Sequence, residues 1–213
     1  MAAITNFGTL KSEILALIGR APIDAVYTMV TANLNTGWQN PATGQVMFVR
    51  TVDMETAATL TTGASYVMPA AYLEMIDVYI ASTPRRHLTP TSIAAINDVY
   101  ATSGNAEQYA IEGTGANGTM IFDKSETADV LIRYYTEVTA LSADEDTNQI
   151  LTKFPGVYLY GSLYHHARLI RDGQAAVDWG AQYAAEISAT NVFSYRERMK
   201  SGNPVRVTPR VVV

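Results

Sequence analysis

The stretch FPGVYLYGSLYHHARLIRD, residues 154–172, decides how the chain is read. Pro155 suits the first position of a helix, where its missing N–H would have had no partner anyway. Apolar residues then recur at helical spacing over 157–171. A longer helical stretch follows over 174–200, with an interruption expected near Asn191. Working back toward the start, Phe7, Leu10, Ile14, Leu17 and Ile18 form another amphipathic stripe that Gly19 can end. Pro22 then opens a helix carrying Ile23, Val26, Val30 and Leu34. The first forty residues therefore read as a helical hairpin, and the C-terminal third as a second pair.

Between the two pairs the period changes. Segments 45–52, 56–62 and 75–80 are rich in β-branched and aromatic residues, with a turn at Thr62–Gly63. Thr89–Pro90 opens one helix with Ile93, Ile96, Val99 and Tyr100 as its apolar face. Strands are expected at 108–112, 119–123 and 128–136. The predicted fold class is α+β: a four-helix bundle formed by the N- and C-terminal helix pairs, an inserted small antiparallel β domain, and an extended C-terminal tail. The expected divisions are 1–42 (N-terminal hairpin), 43–138 (β-rich insert with one helix), 139–200 (C-terminal helices) and 201–213 (tail).

Composition narrows the chemistry. The 213 residues are 48% hydrophobic and only 16% charged, which excludes a disordered chain. No uncharged apolar run is long enough to span a membrane, and the start lacks the basic and apolar regions of a signal peptide. With no cysteine, disulfides, thiolate metal sites and a Cys nucleophile are excluded. Lys+Arg 15 against Asp+Glu 20 gives a net charge of −5, but the charges are unevenly spread. Residues 1–163 hold 8 basic and 16 acidic residues, net −8, whereas 164–213 hold 7 and 4, net +3. Arg196, Arg198, Lys200, Arg206 and Arg210 crowd the end against Glu197 alone.

No motif points to catalysis. Gly113-x-Gly115-x-x-Gly118 has the letters of a dinucleotide fingerprint, but a strand follows where a helix is needed, so it reads as a hairpin turn. His165 and His166, adjacent on a helix, point about 100° apart and cannot share an ion as an i, i+4 pair can. The run Asp144–Glu145–Asp146 lacks calcium-loop spacing and reads as a solvated loop. No cofactor or metal is expected, and the chain is not expected to be an enzyme. A metal-dependent hydrolase using His87, His165, His166 and carboxylates is a third reading. A carbohydrate-binding or capsid-decoration module using the β insert and stacking tyrosines is the main alternative.

Two surfaces remain. The aromatics Tyr158, Tyr160, Tyr164, Trp179 and Tyr183 are either core packing or an intersubunit surface, since Tyr and Trp dominate interface hot spots. The tail, with Val205, Arg206, Val207, Arg210, Val211, Val212 and Val213, reads as a solvated end, a phosphate contact, or a strand added to a partner's sheet. Arg196, Arg198 and Lys200 form a basic helix end before it.

In order, Leu141-Ser142, Thr147-Asn148, Leu151, Pro155, Tyr158-Leu159-Tyr160-Gly161-Ser162-Leu163, Asp172, Trp179 and Tyr183 resemble the head-to-tail adaptor (connector) proteins of tailed bacteriophages, particularly the short-tailed type. The Leu10-Lys11-Ser12-Glu13-Ile14 helix, Met68-Pro69, Tyr72-Leu73-Glu74-Met75-Ile76 and Leu88-Thr89-Pro90-Thr91-Ser92 extend the similarity over roughly 5–200. Gly156 and His165–His166 depart from the pattern. The resemblance implies a structural virion protein at the head–tail interface, assembled in the host cytoplasm. Twelve copies would form a ring under the portal protein, above the downstream nozzle or tail-fibre proteins. DNA would pass through the lumen, residues 201–213 would dock on the portal, and no membrane would be involved.

Overall fold

The computed structural model describes residues 3–61, 66–100, 104–113, 118–126 and 128–200. The Thr62–Gly63 turn, Gly115 and all of 201–213 lie outside the described residues. The fold is mixed α+β, with six helices and small sheets among the described residues. The chain divides into two compact units. Residues 1–53 and 138–213 form one, and 54–137 the other.

The first unit is helical. Helix α1 (Phe7–Ile18) begins with a reciprocal cap, in which Asn6 Oδ1 accepts from Thr9 N at 2.9 Å and Thr9 Oγ1 accepts from Asn6 N at 3.0 Å. It ends at Gly19, whose φ of 65° only glycine adopts without cost. Helix α2 (Asp24–Thr36) buries Val26, Tyr27, Val30 and Leu34. Ile23, expected on its apolar face, is instead the residue before the helix and 62% exposed. The β-prone stretch 45–52 contributes only strand β2 (Val46–Met47), paired with β1 (Trp38–Gln39).

Three helices follow the insert: α4 (Gln149–Lys153), α5 (Pro155–Leu169) and α6 (Gly173–Lys200). Helix α5 packs against α1, α2, α4 and α6. Glycines set its spacing from two of them. A Cβ at Gly161 would lie 3.0 Å from the Tyr183 ring and 3.1 Å from Val30, and one at Gly180 would lie 3.2 Å from Tyr164. The expected interruption at Asn191 does not occur, and α6 runs unbroken. An asparagine inside a helix usually competes with the helix for backbone bonds. Here its amide is occupied elsewhere, donating to Phe48 O at 2.8 Å and accepting from Arg50 N at 3.3 Å.

The second unit holds two sheets. One has the order β3 (Glu55–Leu60), β9 (Val130–Thr136), β4 (Tyr72–Ile80), β5 (Arg86–His87), all antiparallel. The other runs β6 (Thr89–Pro90), β7 (Gln108–Glu112), β8 (Thr119–Phe122), and its β6–β7 pair is parallel, a departure from a purely antiparallel insert. A parallel neighbour needs a crossover, and helix α3 (Ile93–Val99) supplies it. Only Ile96 of its expected apolar face is buried; Ile93, Val99 and Tyr100 are exposed. Val78, Ile80, Leu88, Met120, Val130 and Ile132 lie at the centre of this unit's core.

Candidate functional site

The five expected aromatics separate by burial. Tyr158, Tyr164 and Tyr183 are at most 2% exposed, so the intersubunit reading does not hold for them. A side chain without surface in its own chain has none to offer a neighbour. Tyr158 is a polar hub in the core: its hydroxyl accepts from Asn148 Nδ2 at 2.8 Å and lies 3.2 Å from Thr31 Oγ1. Tyr164 and Tyr183 stack on each other, and Trp38 sits against both. Tyr160 and Trp179 stack with centroids 5.9 Å apart and remain half-buried, so this pair alone keeps a face for a partner.

The groups weighed for chemistry are engaged structurally. Asp146 accepts from Ala143 N, Ser142 N and Ser142 Oγ at 2.7–2.8 Å, and these bonds hold its carboxyl below the usual range. Asp144 pairs with Lys11, and the carbonyls of Asp144 and Asp146 accept from Gly8 N and Phe7 N. The acidic run thus holds the positive start of α1. His165 Nε2 lies 2.7 Å from Asn33 Nδ2, and burial, with Arg168 nearby, pushes its pKa down to about 4. His166 is also lowered, by burial and then by Arg20. His87 lies 3.2 Å from Asp77 on the other unit. Among the described residues, no three His, Asp or Glu side chains gather as a metal site. The glycines 113 and 118 flank the connection between β7 and β8, where Glu112 pairs with Thr119 as in a hairpin.

What is left open is the C-terminal end of α6. Val192, Phe193, Tyr195 and Met199 are 42–55% exposed, and Arg196 is exposed among them. Lys200 pairs with Glu197 at 3.0 Å, and Arg198 is half-buried. The Asn191 bond brings exposed Phe48 alongside, with the Arg50 guanidinium 5.2 Å from its ring. Phe193 and Phe154, centroids 5.5 Å apart, border a groove of about 510 Å³ with Glu186, Ala189 and Thr190. An apolar surface rimmed by cations has the composition of a protein interface. Sequence reading found the cations and missed the apolar residues. The signal was present: Val192, Phe193, Tyr195 and Met199 fall on one half of the helix, opposite the face of Tyr183, Ile187, Thr190 and Ser194 that α6 buries.

The expected portal-docking residues Val205, Arg206, Val207, Arg210, Val211, Val212 and Val213 lie outside the described residues. No helix among the described residues is long and apolar enough to cross a membrane. Residues 5–208 match the family model described as SU10 adaptor protein. No curated protein matches the chain.

Proposed function

The chain belongs to the SU10 adaptor protein family and is a structural bacteriophage protein of the virion; from that premise we propose that copies of it form a ring of twelve beneath the portal, joining head to tail and continuing the DNA channel. The observation that carries the proposal is the family match over 5–208, which takes in both units and most of the tail. Helices α1, α2, α5 and α6 would act as a four-helix bundle and form the rigid wall. A ring of identical copies needs heterologous contacts that close, for which the Tyr160–Trp179 face is available. The phage would be of the short-tailed type, with nozzle or tail-fibre proteins below the ring.

In this reading residues 201–213 extend the exposed, cationic end of α6 into the portal. Ordering such a segment costs entropy but covers much surface, and twelve docked tails raise one another's effective concentration. The net −8 of residues 1–163 suits a channel that must not hold DNA, because anionic walls repel phosphate. Deleting residues 203–213 tests this directly. The protein should keep its melting temperature but vanish from DNA-filled heads in cryo-EM of assembled particles. Retention of the truncated protein on the portal would overturn the docking role, and a copy number other than twelve would overturn the ring.

A further inference from the structure

Helix α6 carries a second face that its packing on α5 does not use. Gly180, Tyr183, Ile187, Thr190 and Ser194 turn one side of the helix inward. Away from them, Val177, Val192, Tyr195 and Met199 are 66%, 49%, 55% and 42% exposed. With Ala181, Ala184 and Ser188 they recur at steps of three or four residues from 177 to 199. On a helix of 3.6 residues per turn that keeps all seven within about 80° of arc. No charged residue of α6 falls inside this arc. Apolar positions repeating in this way over about three heptads form the seam of a helix pair.

The seam is complementary to itself when reversed. Its large residues crowd the second half and its small ones the first. In an antiparallel pair centred on Ser188, Met199, Tyr195 and Val192 of one copy come opposite Val177, Ala181 and Ala184 of the other. Large side chains set against small ones interdigitate. The charges match as well. Asp178 and Arg196 lie on the same flank of the seam, about 80° from its middle. A two-fold axis keeps that flank on one side of both copies and brings Arg196 of one to within about 3 Å, along the axis, of the level of Asp178 of the other. Asp178 accepts from Gln174 of its own helix at 3.1 Å. Among the described residues, neither Asp178 nor Arg196 is in an ion pair. A parallel pair would instead set Tyr195 on Tyr195 and Arg196 beside Arg196, which like charges oppose.

We propose that the chain outside the virion is a two-fold dimer, held by antiparallel contact of α6 with α6 of a second copy along 177–199 and by an Asp178–Arg196 ion pair at each end. A two-fold contact uses the same surface on both copies and ends at two, so it cannot repeat around a ring. The dimer therefore stands apart from the ring proposed above. It covers the exposed apolar residues of α6 while the chain is free, and it opens before a copy joins the ring.

Sedimentation equilibrium of the purified full chain at micromolar concentration tests this. Wild type should have twice the chain mass of 23.2 kDa. Tyr195→Glu, at an exposed position, should keep the wild-type circular dichroism and weaken the dimer at least about tenfold. Asp178→Arg should weaken it too, and Asp178→Arg/Arg196→Asp should restore it. Because the chain has no cysteine, Ser188→Cys supplies an independent arm: mild oxidation should give a covalent dimer, whereas Val192→Cys alone should stay monomeric on a denaturing gel. A monomeric wild type, a dimer indifferent to Tyr195→Glu, or Ser188→Cys that does not cross-link would each overturn the proposal. A monomer whose Tyr195→Glu variant is lost from assembled particles would assign the face to a neighbour in the virion instead. The ring is read separately, by cryo-EM of particles: its absence there leaves the dimer standing, and a missing dimer leaves the ring standing.

Discussion

His165 carries more consequence than its neighbour. Its Nε2 accepts from the Asn33 amide, which fixes the neutral ring with its proton on Nδ1 and ties α5 to α2. Its pKa is about 4 here, against 6.5 in an unfolded chain. The unfolded state therefore binds the proton more readily, and stability falls as pH drops. The contribution is complete above pH 6.5, declines between 6.5 and 4, and is flat below. At pH 4.5 the loss is on the order of 2 kcal/mol relative to pH 7. Urea denaturation of wild type and His165→Asn should show the wild-type midpoint falling further over that interval. Equal falls would mean that carboxylates alone set the acid limit. The sequence showed that the two histidines cannot share an ion, but not that one is an acceptor in the core, because Asn33 lies far away along the chain.

Among the elements, α4 shows how much depends on one cap. Asn148 Oδ1 accepts from Leu151 N at 2.9 Å, while its Nδ2 donates to Thr139 O and to the Tyr158 hydroxyl, both at 2.8 Å. One side chain, 7% exposed, thus starts α4, holds the chain arriving from the insert, and satisfies a buried hydroxyl of α5. Asn148→Ala leaves that hydroxyl short of a donor and should cost about 2–3 kcal/mol, read as a fall in melting temperature. Asn148→Asp keeps the cap but loses both donated bonds, so it should recover only part of the loss. Helix positions were legible because Pro155, Gly19 and the apolar spacing are local signals. The length of the strand at 45–52 was not, since Phe48 and Arg50 bond to α6 in place of a sheet partner. Nor was the continuity of α6, which depends on those same bonds.

At the scale of the molecule, the insert joins the helical unit through two pinned connections. On the way out, Val52 N donates to Ser194 Oγ at 2.9 Å and Asp53 pairs with Lys153 at 2.6 Å. On the way back, Asn35 bonds both backbone groups of Val138, accepting at 2.8 Å and donating at 3.2 Å. The strands that follow and precede these points, β3 and β9, are paired from Glu55↔Tyr135 onward. Replacing residues 55–136 by a four-residue Gly/Asn turn should therefore leave a helical protein with a cooperative thermal transition and a higher helical signal per residue by circular dichroism. A molten or aggregated product would show that the helices need the insert to fold. The alternation of helical and β-prone stretches was legible from periodicity alone. The parallel β6–β7 pair was not, because two-residue strands carry no period and their partner is fixed by α3.

Those paired strands also determine how the protein carries load. Load along the paired helices α5 and α6 would be borne by the close contacts at Gly161 and Gly180. In the β unit the entry and exit strands, β3 and β9, lie side by side. Pulling the two connections apart would instead peel β3 from β9 one residue pair at a time, starting at Glu55↔Tyr135 and next to the Glu55–Arg133 ion pair. The helical unit thus resists load through packed side chains, and the β unit through a ladder that can open from one end.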